Sequence, residues 1–394
     1  MRRFTEWAAG WVLVLGTVVP TAAYDGIVEK KTFSMPSYTT QNGGTIKNVK
    51  VGYETYGTLN ATRDNVVLIT HFFSGNSHAA GKYAASDAAP GYWDAIIGAG
   101  RPIDTDRYFV VSSDTLVNLN TKAGKTVTTG PASVNPDTGK PYGMSFPIVT
   151  IRDFVNVQKA LLDSLGIKKL HAVAGASMGA LQAFEWAAAY PDMVPRVLPV
   201  IGAAELNAFG IEWANVWAAP IRLDPRWSNG DYYGKEEPVE GLALALKTIT
   251  IHARHHGWAA RTFGRKWAVP DRDLAKSWSN LFAIEDAIDK VAAARAKISD
   301  ANSLLYLVKA NQLFVTGHKG SLEEGLKDIK AKVLLLPATS DLLLFPDFSR
   351  EAMEILKKQG RDVRYEEIPG DGGHLDGVLA VAKVGETIRK FLSE

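Results

Sequence analysis

The 394-residue sequence contains no cysteine, which excludes a thiol nucleophile, a disulfide framework and thiolate metal sites. Net charge is nearly absent as well. Lys and Arg number 44 against 42 Asp and Glu, leaving +2, and no basic run is longer than a few residues, so there is no electrostatic case for nucleic acid. Apolar runs of membrane-spanning length are also missing. The one extended run near the start, Trp11-Val12-Leu13-Val14-Leu15-Gly16-Thr17-Val18-Val19, follows Arg2 and Arg3 and precedes Pro20 and Thr21-Ala22-Ala23. That order of charge, apolar stretch and small residues is the pattern of an export signal over residues 1–23, with cleavage expected after Ala23. A periplasmic or secreted protein with no further membrane contact is the expectation.

What is present is an ordinary packed composition, 46% hydrophobic and 22% charged, organised around one stretch. Ala172-Val173-Ala174-Gly175-Ala176-Ser177-Met178-Gly179-Ala180 is an apolar run that breaks into Gly-x-Ser-x-Gly and continues as Leu181-Gln182-Ala183-Phe184-Glu185-Trp186. A buried strand, a sharp turn and a helix are predicted, with Ser177 in a strained conformation that Gly175 and Gly179 make room for. The helix beginning at Met178 directs its first N–H groups and positive dipole end toward an oxygen developing beside Ser177.

Around that elbow the chain alternates between strands and helices. Ile46–Tyr56 reads as an edge strand of a hairpin, and Asn65–Thr70, apolar on both faces, as a central strand. It runs into His71-Phe72-Phe73-Ser74-Gly75-Asn76, where the backbone N–H of Phe73 is assigned as a second oxyanion donor beside that of Met178. His71 is read as shaping this loop. Arg107–Val111 is a further strand, the segment up to Phe146 is a long irregular loop, and Thr150 caps a helix running to about Leu165. Another strand covers Arg196–Ile201. From about Ala203 to Leu326 the alternation stops; six of the ten tryptophans lie there, and the best stretches have helical period. This region, 203–326, is read as a helical cap inserted into a core formed by 24–202 and 327–394, with the substrate pocket where the two meet.

The alternation returns with Lys332–Pro337, a helix from about Phe348 to Gln359, the strand Val363–Ile368 and a closing helix. Asp341 follows one of these strands and His374 the other, so both should hang over the sheet edge that carries Ser177. The chain order Ser177, Asp341, His374 is that of a doubly wound, mostly parallel α/β architecture using a serine nucleophile. His374 would take the Ser177 proton, Asp341 would fix the imidazole tautomer, and an ester or thioester would pass its acyl group through an acyl-serine. Asp347 and Asp371 are alternative acids; Asp341 is better placed just past a strand end. His252, His255 and His256 could hint at a metal, yet no glutamate follows His252 as a metalloprotease helix requires, and they are read as polar cap residues. No metal and no cofactor are implied.

From Tyr53 onward the chain resembles the homoserine O-acetyltransferase family of α/β-hydrolase-fold enzymes. The resemblance rests on His71-Phe72-Phe73-Ser74-Gly75-Asn76-Ser77-His78, Thr129-Gly130-Pro131, Lys140-Pro141-Tyr142-Gly143, Phe146–Asp153, and the elbow through Tyr190-Pro191-Asp192. Arg222-Leu223-Asp224-Pro225, Gly230-Asp231-Tyr232-Tyr233, Asp300-Ala301-Asn302-Ser303 and Ser340-Asp341 extend it. It implies the α/β-hydrolase fold, the triad Ser177, Asp341 and His374, a small-molecule acyl substrate, and a homodimer through the cap. Three departures stand out. Where the family has an arginine for the homoserine carboxylate this chain has Ala218, beside Trp217; where it has an aspartate for the amine, directly after the histidine, this chain has Leu375, with Asp376 one position late. The third is the export signal, since acetyl-CoA is a cytoplasmic donor. Each missing charge-assisted hydrogen bond is worth roughly 1.5–3 kcal/mol. The expectation is therefore an exported acyl hydrolase or an acyltransferase with a neutral acceptor, its pocket lined by Trp217, Ala218, Tyr232 and Leu375. The alternative is a homoserine O-acetyltransferase with acetyl-CoA as co-substrate.

Overall fold

A computed structural model of the protein describes residues 26–394; the leader expected at 1–23 lies outside them. Eight strands form one sheet: β1 (Lys31–Thr39), β2 (Thr45–Tyr56), β3 (Val66–Thr70), β4 (Phe109–Ser113), β5 (Ala172–Ala176), β6 (Arg196–Val200), β7 (Lys332–Leu335) and β8 (Val363–Tyr365), in the spatial order β1-β2-β4-β3-β5-β6-β7-β8. β1 and β2 are antiparallel to their neighbours and the rest are parallel. The α/β-hydrolase fold expected from the sequence is therefore present. Val66-Val67-Leu68-Ile69-Thr70 and Ala172–Ala176 are buried at every position, as parallel strands covered by helices on both faces must be.

One difference lies at the edge. β2 is not the outermost strand, because β1 pairs along it from Lys31↔Tyr53 to Thr39↔Thr45. β1 alternates half-exposed and exposed residues with little burial, so it lacks the apolar face by which a strand is recognised in sequence. At the other edge the regular strand β8 stops at Tyr365, and pairing resumes in a single bridge, Ala338↔Ile368, just before the loops that carry Asp341 and His374.

The helices next to the sheet follow local rules. α1 (Ile151–Ser164) starts at Thr150, whose hydroxyl and the Asp153 carboxylate satisfy each other's backbone N–H groups, a capping box. α2 (Met178–Ala189) is buried over almost its whole length between β3, β5 and β6. Between β6 and β7 come only helices: α3 (Ala208–Leu223), α4 (Val239–His252), α5 (His256–Thr262), α6 (Ala283–Ile298), α7 (Ala301–Gln312) and α8 (Leu322–Leu326), interrupted by single 3-10 turns. The two segments at the neck of this insertion touch through Leu206 N–H to Phe314 O at 3.0 Å and Thr316 N–H to Ala204 O at 3.0 Å. After β7 the chain forms α9 (Pro346–Lys358), α10 (Asp376–Leu379) and α11 (Gly385–Ser393). Among the described residues no helix is long and apolar enough to cross a membrane.

Candidate active site

The turn after β5 explains its own sequence. Ser177 has φ 58° and ψ −121°, a region that costs a non-glycine residue on the order of 1–3 kcal/mol and persists only where packing dictates it. A Cβ on Gly179 would stand 2.1 Å from the Thr70 carbonyl oxygen, and one on Gly175 would stand 2.3 Å from the Gly179 oxygen. Both glycines are thus required by the close approach of α2 to the end of β3. Gly179→Ala is expected to lower stability by about 3 kcal/mol or more, because the neighbouring atom is backbone and cannot rotate away. A denaturation midpoint equal to that of the parent protein would show that the strand end yields.

Strand register then brings distant loops together. β3 and β5 pair through Thr70↔Gly175, so the loop after β3 and the elbow after β5 leave the same sheet edge side by side. Asp341 lies beyond β7 and His374 beyond β8. The His374 Nε2 is 2.7 Å from Ser177 Oγ, and its Nδ1 is 2.7 Å from Asp341 Oδ2. The other Asp341 oxygen accepts the N–H groups of Leu343 at 2.8 Å and Leu344 at 3.0 Å. The carboxylate is therefore held from one side while its other oxygen faces the imidazole. Ser177, His374 and Asp341 are 8%, 5% and 2% exposed, so the relay is largely enclosed by protein.

The alternative acids are elsewhere. Asp347 is at the surface and pairs with Arg350, and Asp371 pairs with Arg261. His71 is buried with Nδ1 2.8 Å from the Phe72 carbonyl and Nε2 3.4 Å from Thr115 Oγ1, in keeping with a loop-shaping role; burial lowers its pKa. Among the described residues no group of histidines and acids could hold a metal ion. His255 instead caps α5 by accepting the Gly257 N–H at 3.1 Å.

The backbone N–H groups of Phe73 and Met178 have no hydrogen-bond partner among the described residues. Two free donors, one on each side of the junction between β3 and β5, suit an oxygen that gains negative charge during attack. The Phe73 loop is built from outside itself. Asp114, at the end of β4, accepts the Ser77 N–H at 2.7 Å and the Val127 N–H at 2.8 Å. Lys30 sits between Glu54 (3.2 Å) and Asp114 (3.5 Å) and donates to Ser77 Oγ. Burial would raise the Glu54 pKa, but His78, Lys30 and Tyr83 outweigh it and hold the carboxylate below its ordinary value.

The expected pocket residues divide. Trp217 stands edge-on to the Phe73 ring, centroids 5.8 Å apart, and Ala218 is buried beside it. Leu375 follows His374 directly in a 3-10 turn. Tyr232 is instead tied into the insertion: its hydroxyl donates to Asp300 Oδ1 at 2.6 Å and accepts the Asn302 N–H at 3.0 Å, leaving it nothing to offer a substrate. Asp376, one position late, folds back on its own loop, accepting the Gly372 N–H at 2.9 Å and the Ser340 hydroxyl at 3.3 Å.

His252 is the residue whose place the sequence did not disclose. Its ring packs on Trp213 at 4.0 Å and edge-on to Trp217 at 5.7 Å. Burial pushes its imidazole down to about 4, with nearby His374 adding to the effect and Asp341 opposing it. It is a neutral ring within electrostatic reach of His374 and Asp341, with Nδ1 buried and unpartnered.

Comparison with known proteins places this geometry in a lineage. The alpha/beta hydrolase fold family profile matches residues 88–379. Homoserine O-acetyltransferase of Methanosphaerula palustris is 40% identical over 369 residues, 93% of this chain and 74% of that protein. The chain belongs to the homoserine O-acetyltransferase family. Homoserine O-acetyltransferase from Bacillus anthracis superimposes with a TM-score of 0.89 at 39% identity, covering 94% of this chain and 98% of that one. The structure of esterase E22 superimposes with a TM-score of 0.89 at 52% identity, covering 93% and 100%. The curated relatives overturn the expectation of an exported acyl hydrolase and favour the acetyltransferase alternative. That expectation leaned on the absent charges at Ala218 and Leu375, and two substituted positions weigh less than 40% identity over 93% of the chain.

Proposed function

We propose that the protein transfers an acetyl group from acetyl-CoA to the hydroxyl of homoserine through an acyl-Ser177 intermediate. The observation that carries this reading is the continuous relay from Asp341 through His374 to Ser177 in a chain 40% identical over nearly its whole length to homoserine O-acetyltransferases. His374 Nε2 accepts the Ser177 proton as Oγ attacks the thioester carbonyl. The negative oxygen is received by the Phe73 and Met178 amides, and the same proton goes to the departing thiolate. Homoserine then gives its hydroxyl proton to His374, attacks the acyl-serine carbonyl, and Ser177 recovers the proton as the new ester leaves. The enclosure of Ser177, His374 and Asp341 is in keeping with transfer, because water is the competing acceptor and is present in large excess.

The test is thiol release from acetyl-CoA with and without homoserine, together with identification of the product. Release that depends on homoserine, with O-acetylhomoserine formed in equal amount, is the expected result. Release at the same rate without homoserine, or ester cleavage that homoserine does not divert, would overturn the reading.

A further inference from the structure

The segment following β4 grips the oxyanion loop at two successive carbonyls. Asn118 Nδ2 donates to the Gly75 oxygen at 3.1 Å, and Asn120 Nδ2 donates to the Ser74 oxygen at 2.9 Å. Ser74 follows Phe73 directly and Gly75 comes one residue later. The two amides differ in what holds their other end. Asn118 is anchored within the core, its Oδ1 accepting from Thr115 N–H at 3.1 Å and Thr115 Oγ1 at 2.9 Å. Asn120 Oδ1 instead accepts at 3.0 Å from the hydroxyl of Ser299, which lies at the junction of α6 and α7 in the helical insertion. That contact is flanked by two backbone bonds, Asp300 N–H to Leu119 O at 3.0 Å and Lys122 N–H to Ile298 O at 3.1 Å. Ser299 is fully buried and its single hydroxyl proton is shared between Asn120 Oδ1 at 3.0 Å and the Arg295 carbonyl at 2.8 Å, so its position is that of the insertion itself.

We propose that Asn120 is a positioning residue that ties the helical insertion to the Phe73 amide, so that the oxyanion donor is correctly placed only when the insertion is seated. A single planar amide spans the gap, donating to one unit and accepting from the other, and a shift of either end is transmitted through it. The consequence for acyl transfer is that acylation becomes efficient only when the insertion covers the serine. The inference rests on the acyl-serine reading given above. Asn120 touches neither substrate nor the reacting atoms; it acts through Ser74 and Phe73.

The experiment is the pre-steady-state burst with p-nitrophenyl acetate, in which the burst rate reports acylation and the burst amplitude reports the folded, competent fraction. Loss of an oxyanion donor costs about 10²- to 10³-fold, so misplacing one should slow the burst rate by roughly 10- to 100-fold. Asn120→Ala is expected to do so at full amplitude, with substrate affinity changed by less than about twofold. Ser299→Ala removes the bond to Asn120 together with the hydroxyl's contact to the Arg295 carbonyl, leaves the Asn120–Ser74 bond in place, and should slow the burst less. Combining it with Asn120→Ala should add nothing, whereas combining it with Asn118→Ala should multiply the two losses. Asn120→Asp keeps the acceptor for Ser299 but turns an anion toward the Ser74 carbonyl, and it carries the same comparison if Asn120→Ala fails to fold. An unchanged burst rate in Asn120→Ala or Asn120→Asp, a loss confined to amplitude, or multiplying losses in the Asn120 and Ser299 pair would overturn the inference. A Ser177→Ala variant that releases p-nitrophenol at the parent rate would instead overturn the acyl-serine reading beneath it.

Discussion

Ser177→Ala is expected to lower acyl-transfer turnover by roughly 10⁶-fold, and His374→Ala by a similar factor, with the combined variant no worse than either alone. The reason is geometric. Ser177 Oγ and His374 Nε2 lie 2.7 Å apart, so neither has a chemical use without the other: an unactivated hydroxyl is a poor nucleophile, and a base with no proton to take does nothing. Asp341→Asn should be milder, at about 10⁴-fold, because the side chain would still fill the site but would no longer stabilise the imidazolium or fix its tautomer. Leu343 and Leu344 would be left donating to an amide oxygen in place of an anion. Turnover with acetyl-CoA and homoserine measures all three. Activity within tenfold of the parent protein after Ser177→Ala would remove the nucleophile, and losses that multiplied in the combined variant would show that the two side chains act separately.

Combining Ala218→Arg with Leu375→Asp should tighten homoserine binding by roughly 10- to 100-fold for each charge that finds its partner, since a charge-assisted hydrogen bond is worth about 1.5–3 kcal/mol. Leu375 adjoins His374, and Ala218 adjoins Trp217, whose ring meets Phe73 of the oxyanion loop edge-on. The bulk of an arginine at the buried Ala218 is the opposing term, so Leu375→Asp alone should give the cleaner gain. The measurement is KM for homoserine beside KM for an acceptor alcohol without charges. An equal change for both acceptors would mean that the new side chains altered the shape of the pocket and left its charge complementarity untouched.

The way the first expectation of function failed is instructive. The fold, the elbow and the order of the three reactive residues were legible because each rests on local pattern: an apolar run ending in small residues, or an acid or histidine just beyond a strand. The acceptor was not legible, because it depends on which side chains from α3 and α4 meet over the serine. His252 reads as a polar residue on a cap helix, and only the packing of α4 against Trp213 and Trp217 shows it as a buried ring near His374 and Asp341. Tyr232 shows the reverse. It looks like a pocket residue in a matched motif, yet its hydroxyl is spent on Asp300 and Asn302. Likewise β1, with no apolar face, gives no periodic signal and becomes a strand because β2 is there to pair with it.

By itself the sequence determined the alternation of strands and helices, the strained serine between two glycines, and the chain order in which an acid and a histidine follow it, because each strand, turn and strand end is marked by a pattern local to it. Only the tertiary structure decided that Asp341 faces His374 while Asp347 and Asp371 turn to arginines, and that Asn120 stands between Ser299 and Ser74. Which polar group a side chain meets is set by the register of β7 and β8 and by the seating of the helical insertion, where segments far apart in the chain come within hydrogen-bond distance.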